Sequence, residues 1–107
     1  MSRIPPDQFA EQIRLRRVEW ARLDGIARRL EELKPIKEAE LFNQAEGAMD
    51  LRKAQARAHP TYREHIEEMV EARTKANIQL AAVLGMETEW KTWQSRNASR
   101  RAEMQIR

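Results

Sequence analysis

The sequence has no cysteine, only three glycines and four prolines, and no long run of apolar residues. Without cysteine the chain forms neither disulfides nor thiolate metal sites, and a reducing cytosol suits it. No apolar stretch approaches the roughly 18–20 residues that span a bilayer, and the start of the chain lacks the apolar core of a signal peptide. We therefore expect a cytoplasmic protein of a bacterial host cell, without a membrane partner.

The scarcity of glycine and proline goes with an abundance of helix-forming residues. Charged residues make up 35% of the 107 positions, and alanine, leucine, glutamate and arginine are frequent, which is typical of long helices. A chain of this length forms one small domain. Because much of its hydrophobic content is alanine, we expect a thin core and association between copies of the chain.

Apolar residues in the first third of the chain recur at helical spacing. Pro5, Pro6 and Asp7 are typical of a helix start, and apolar positions then follow in steps of three and four. They are Phe9, Ile13, Trp20, Leu23, Ala27 and Leu30, with Arg16 in the one missing place. This seam predicts a helix over residues 7–33 that packs on another helix.

Prolines predict the boundaries of the second helix. Pro35 disfavours the helical conformation at Lys34 and suits the first turn of a new helix, so a second helix is expected over residues 36–58. A single helix that continues through Pro35 with a kink is the alternative. Pro60 ends the second helix in either case.

The third helix is predicted to be the longest. Thr61 and Glu64 have the spacing of a capping box, and the helix is expected over residues 61–104, with Gly85 as a point where it could kink. Its first half carries an apolar stripe of Tyr62, Ile66, Met69, Ala76, Leu80 and Val83, interrupted by Arg73. The same face then carries Glu87, Gln94, Asn97 and Arg101, so it is no longer a core stripe.

These patterns together predict an all-α fold in a single domain spanning residues 1–107. Its three helices are expected to form an antiparallel helical hairpin and a long C-terminal helix. The chain is expected to assemble as a homo-oligomer, because its own core is thin.

Residues with the chemistry of an active site are few. His59 and His65 are six positions apart, which does not place both on one face of a helix; we assign His59 to the turn and His65 to a solvated first helical turn. No glycine-rich phosphate loop and no nucleophile beside a base is visible. We therefore expect no enzymatic activity, no metal ligand and no cofactor.

The last eighteen residues, 90–107, are the most informative part of the chain. They contain two of its three tryptophans and carry five basic residues against one acidic residue, a net charge of +4. Aromatic rings stack on the bases of single-stranded nucleic acid and guanidinium groups bind its phosphates. We expect Trp93 to stack and four cations to contact phosphate, namely Lys91, Arg96, Arg100 and Arg101.

The same residues have two simpler interpretations. Trp90 and Trp93, three positions apart on one helical face, are also typical of a core or a protein interface. Cations near a helix C-terminus interact favourably with the helix dipole, although this accounts for only one or two of them. Trp20, Trp90 and Met104 are the residues we assign to an oligomer or partner interface.

The arrangement of these features resembles the UvsY family of phage recombination mediators. The resemblance is carried by Trp20, the charged alanine run from Lys53 to Arg57, Tyr62, and Ser95-Arg96 followed by Arg100, Arg101 and Met104. It covers most of the chain as a pattern and rests on no diagnostic motif. It implies a ring-like oligomer that binds single-stranded DNA and a single-strand-binding protein and helps to load a recombinase, with DNA contacts at Arg96, Arg100 and Arg101.

The function predicted from the sequence is that of a phage-type recombination accessory protein, binding single-stranded DNA and a single-strand-binding protein or recombinase. The alternative is a small helical inhibitor or adaptor that binds a host or phage protein, for example a nuclease or a defence complex. A third interpretation is a structural subunit whose C-terminal segment completes the core of a neighbouring copy.

Overall fold

The computed structural model describes residues 4–106, and within that range it contains three helices and no strand. They are α1 (Pro6–Gln44), α2 (Met49–Ala58) and α3 (Pro60–Ile106). The fold is all-α, as the composition predicts. None of these helices combines the length and the apolar character needed to cross a membrane.

The chain divides into two compact units, and α1 and α3 contribute to both. Unit 1 combines the start of α1, as far as Trp20, with α3 from Ile78 onward, and unit 2 is the segment Ala21–Asn77. In unit 1 the two helical segments run antiparallel: Phe9 stacks on Trp90, and Arg17 forms an ion pair with Glu87. Among the described residues of this unit, Phe9 and Val83 are the buried apolar ones.

Unit 2 has a core made largely of alanine. Its buried apolar side chains are Ala27, Leu41, Ala56 and Ala76. The predicted seam of α1 faces inward here, since Leu23 and Leu30 are half-buried on either side of Ala27. The alanines allow the helix backbones to approach closely, but they remove little apolar area from water, so the hydrophobic stabilisation of the unit is small.

Arg73, which interrupts the apolar stripe of α3, is paired with carboxylates of α1. Its guanidinium donates to both carboxylate oxygens of Glu31, at 3.1 and 2.7 Å, and to Asp24 at 2.7 Å. Arg28 donates to the other oxygen of Asp24 at 2.9 Å. These hydrogen bonds hold the pKa of Asp24 and of Glu31 below the usual range, and they raise the pKa of Arg73. Arg73 is half-buried, and a charged residue tolerates this partial burial in the seam because carboxylates accept its N–H groups.

The predicted helix boundary at Lys34–Pro35 is wrong: α1 continues through Pro35 to Gln44. Proline in a helix interior costs about 3 kcal/mol in isolation, but tertiary contacts hold the helix on both sides of this one. Before it, Glu31 is bound by Arg73; after it, Leu41 is buried. The second predicted helix, 36–58, is accordingly divided between the end of α1 and the shorter α2.

The break between α1 and α2 lies at Gly47. α1 ends at Gln44 and α2 begins at Met49, and Gly47 in the connection has a φ of +111°, a conformation that L side chains rarely adopt. The guanidinium of Arg52 then donates to the carbonyl oxygen of Phe42 through two nitrogens, at 3.2 and 3.1 Å, and lies 4.1 Å from the centre of the Phe42 ring. The same carbonyl accepts from the backbone N–H of Ala45 at 3.2 Å, so Arg52 adds a second donor to a carbonyl near the end of α1.

The start of α3 differs from the predicted capping box. The helix begins at Pro60, and the backbone N–H of Thr61 donates to Nδ1 of His59 at 3.1 Å. His59, not Thr61, is therefore the N-cap, and Pro60 occupies the first helical position, where no donor is lost. The assignment of His59 to the turn is confirmed. At the other predicted irregularity, Gly85, α3 is helical throughout.

His65 is buried, which contradicts its assignment to a solvated turn. Only 7% of its surface is exposed, and its Nε2 donates to the carbonyl oxygen of Leu30 at 2.7 Å. The face of α3 that carries His65 meets α1, a tertiary contact that residue spacing within one helix does not reveal. The histidine is a structural link between the two helices.

Candidate nucleic-acid interface

Three aromatic rings are stacked in unit 1. Trp90 stacks on Phe9 of α1, with ring centres 5.6 Å apart and planes at 18°, and on Trp93, with centres 5.2 Å apart and planes at 14°. Phe9 is buried and Trp90 is half-buried, but Trp93 remains 42% exposed. The stack therefore runs from the core of the unit to the surface and holds an exposed indole in a fixed position.

A cleft of about 510 Å³ opens beside this stack. Its walls include all three rings, Pro6 at the start of α1, and the side chains of Glu89 and Arg96 from α3. The volume is within the range of small-ligand sites. The apolar walls suit an aromatic ring, Arg96 suits an anion at the rim, and Glu89 disfavours an anion inside the cleft.

Beyond Trp93, α3 continues without a neighbouring segment of α1. Phe9 stacks on Trp90, so Pro6, where α1 begins, lies about level with Trp93. Residues 94–106 therefore extend roughly 20 Å beyond the start of α1. Every side chain from 94 to 105 is exposed except that of Asn97, which is half-buried. This projecting segment carries the predicted arginines and is open to a partner.

Three of the predicted binding residues share one face of α3. With about 100° per helical residue, Arg96 is roughly 60° and Arg100 roughly 20° from Trp93 around the axis. We call these exposed residues the C-terminal stripe: Trp93, Arg96 and Arg100. Arg101 flanks it, about 80° to the other side of Trp93. An aromatic ring followed by two guanidinium groups on one face has the chemistry of a single-strand binding surface.

Lys91 does not belong to this stripe. It lies about 160° around the helix from Trp93, on the opposite face, although it is exposed like the arginines. A ligand that contacts the C-terminal stripe along one face of α3 therefore does not reach Lys91. Arg107, the last cation of the segment, lies outside the described residues.

The residues predicted for an oligomer or partner interface have three different environments. Trp20 is half-buried in unit 1, where it belongs to the seam of α1. Trp90 contacts two rings of its own chain, as described above. Met104 is 77% exposed and lies about 20° from Trp93 around the helix axis, which places it at the far end of the stripe. Of the three, Met104 is the one most available to another molecule.

The sequence did not indicate Phe9 as a residue of this site. Its apolar character fits the seam, but its role as the base of the stack depends on the antiparallel pairing of α1 with α3. Only the register of that pairing could have placed it opposite Trp90. Among residues 4–106, no group of three His, Asp or Glu side chains is arranged to hold a metal ion.

The sequence matches no family model, and neither a curated protein nor a solved structure is significantly similar to it.

Proposed function

We propose that this protein binds single-stranded nucleic acid through the C-terminal stripe, as a binding protein and not as an enzyme. The observation that carries the proposal is the exposed indole of Trp93 at the end of a fixed aromatic stack, with Arg96 in the wall of the same cleft. An unpaired base has a free face for stacking, which a base inside a duplex does not present.

In this proposal each residue of the stripe has a separate role. A base stacks on Trp93 and enters the apolar cleft, where Glu89 disfavours a phosphate. Arg96 and Arg100, about 6 Å apart along the axis of α3, bind phosphates outside the cleft. Phosphate contacts supply affinity without sequence preference, and the stacking ring selects single strands over duplexes.

The direct test is fluorescence anisotropy of labelled single-stranded and double-stranded DNA of equal length, titrated with the protein at two salt concentrations. We expect salt-sensitive binding that favours the single strand. Quenching of tryptophan emission by unlabelled single strand, reduced in Trp93→Phe, would locate the bound base at the stack. If neither form of DNA binds at low salt, the proposal is wrong.

A narrower role, as an accessory protein that loads a recombinase on single-stranded DNA in phage-type recombination, is supported by the resemblance to recombination mediators. It requires a second partner, a single-strand-binding protein or the recombinase itself. Strand-exchange assays with DNA already coated by a single-strand-binding protein test it: addition of this protein should shorten the lag before exchange. An unchanged lag, with DNA binding intact, would remove this role and leave the binding activity.

One feature of the cleft favours a second function, that of a protein-binding adaptor or inhibitor. Most of the cleft is apolar, and Trp93 with Arg96 is the kind of pair that dominates protein interfaces. A pull-down from bacterial lysate, treated with nuclease, separates the two functions. A stoichiometric protein that remains bound after nuclease treatment and is lost with Trp93→Ala would favour the adaptor.

A further inference from the structure

A second periodic stripe lies on the exposed side of α1, within unit 2. Its positions follow one another in steps of four, three, four, three and four, and every one is exposed: Arg22, Ile26, Arg29, Leu33, Ile36 and Glu40. All six lie within about 80° of one another around the helix axis, and they are centred about 100° from the buried seam. We call them the outer stripe.

The outer stripe has the sequence pattern of a coiled-coil seam. Ile26, Leu33 and Ile36 are 44%, 37% and 53% exposed, although apolar residues of this size are usually buried. The strict alternation of three and four is the heptad spacing at which one helix packs along another. The core of unit 2 is mostly alanine and buries little apolar area. Burying these three large side chains against a partner would therefore add substantially to the apolar area that unit 2 removes from water.

We propose that the outer stripe pairs with the outer stripe of a second copy, with the two α1 helices antiparallel. Antiparallel pairing with the two-fold axis near residue 31 places Ile26 opposite Ile36 of the second copy. The same register places Arg22 opposite Glu40, and the stem of Arg29 over Leu33. Each of these contacts occurs twice, because the arrangement is symmetric.

Charge decides the direction and favours a second copy as the partner. In a parallel pair, Arg22, Arg29 and Glu40 would each face their own copy, so that like charges meet at three levels. The antiparallel register replaces two of these repulsions by two Arg22–Glu40 attractions. The stripe is thus complementary to itself in one direction only. This proposal does not depend on nucleic-acid binding, which is assigned to the other unit.

The pairing predicts a reversible dimer. The stripe is about 28 Å long, and a single helix pair of that length is a small interface, so we expect dissociation at micromolar concentration. Light scattering coupled to size exclusion should give twice the chain mass at high concentration. The double variant Ile26→Glu/Ile36→Glu should give the mass of one chain with unchanged helical circular dichroism.

A matched control is Val70→Glu, at an equally exposed apolar position of α3 in the same unit and outside the outer stripe. It should leave the dimer intact. A single-chain mass for the native protein at every concentration would overturn the proposal. So would a dimer that the two isoleucine substitutions leave unchanged, or one that Val70→Glu weakens to the same extent.

The register has its own test, because the chain contains no cysteine. Ile26→Cys/Ile36→Cys should give a covalent dimer on mild oxidation, whereas Ile26→Cys alone should crosslink poorly, since residue 26 does not face its own copy. Arg22→Glu and Glu40→Arg should each weaken the dimer, and the two together should restore it. Efficient crosslinking of Ile26→Cys alone, or no rescue in the double charge variant, would refute the antiparallel register.

Discussion

Replacing Arg96 and Arg100 by glutamine removes the two cations that share a helical face with Trp93, and the effect on the salt dependence of binding can be calculated. For single strands, log K falls with log salt by about 0.7 for each phosphate neutralised. Two lost contacts should therefore make the slope shallower by about 1.4. Between roughly 50 and 200 mM salt, the native protein should lose about sevenfold more affinity than the variant.

The control for this prediction must remove the same net charge. Lys53→Gln/Lys91→Gln also eliminates two exposed cations, but Lys91 lies on the opposite face of α3 and Lys53 lies in α2. Its slope should differ from the native slope by much less than 1.4. The assay is anisotropy of a labelled single strand at four or more salt concentrations, with circular dichroism as the check on folding.

Two results would refute the reasoning. If both double variants change the slope equally, binding follows net charge and no particular face of α3 is the contact surface. If the slope of the Arg96→Gln/Arg100→Gln variant equals the native slope, these arginines do not neutralise phosphate, and the proposed interface is wrong.

Three further predictions concern the stability of the fold. Val83→Ala removes two methyl groups at a fully buried position and should lower the free energy of unfolding by about 2–3 kcal/mol in urea titrations; a change near zero would contradict the packing. Gly47→Ala places a Cβ at a φ of +111° and should cost about 1–2 kcal/mol by the same assay; an alanine that stabilises the protein would show that the turn is different. Arg73 lowers the pKa of Asp24 and of Glu31, so its ion pairs stabilise the fold above pH about 4 and are lost as the pH falls through the lowered values. Thermal unfolding of Arg73→Met should therefore depend less on pH in this acidic range than that of the native protein, and parallel profiles would contradict the pairing.

The helical seams were predictable because they depend on local periodicity. Buried Phe9 and Ala27 in α1, and Ala76 and Val83 in α3, fall on the stripes that the spacing of apolar residues indicates. Composition likewise favoured helices along nearly the whole chain. These features arise because an amphipathic helix buries its apolar face, and that face can be identified without knowing which element packs against it.

The predictions from the sequence were wrong where a local signal competes with contacts from elsewhere in the chain. Pro35 is a sound signal for a helix end, and it was overridden by the packing of unit 2 on both of its sides. His65 has no local feature that distinguishes it from a solvated residue, and its bond to the carbonyl of Leu30 comes from another helix. Gly47, in contrast, carried a usable signal, since glycine is favoured in turns that require a positive φ.

The sequence by itself determined the helical class, the inward faces of α1 and α3, and the concentration of aromatic and basic residues after residue 89. All of these depend on residue type and on spacing along one helix. Tertiary structure alone decided that Phe9 supports the tryptophan stack, that Arg73 is satisfied by two carboxylates, and that the projecting end of α3 is open. The physical reason is register: the helical period fixes which residues share a face, but only the packing of one helix against another fixes which residues meet across it.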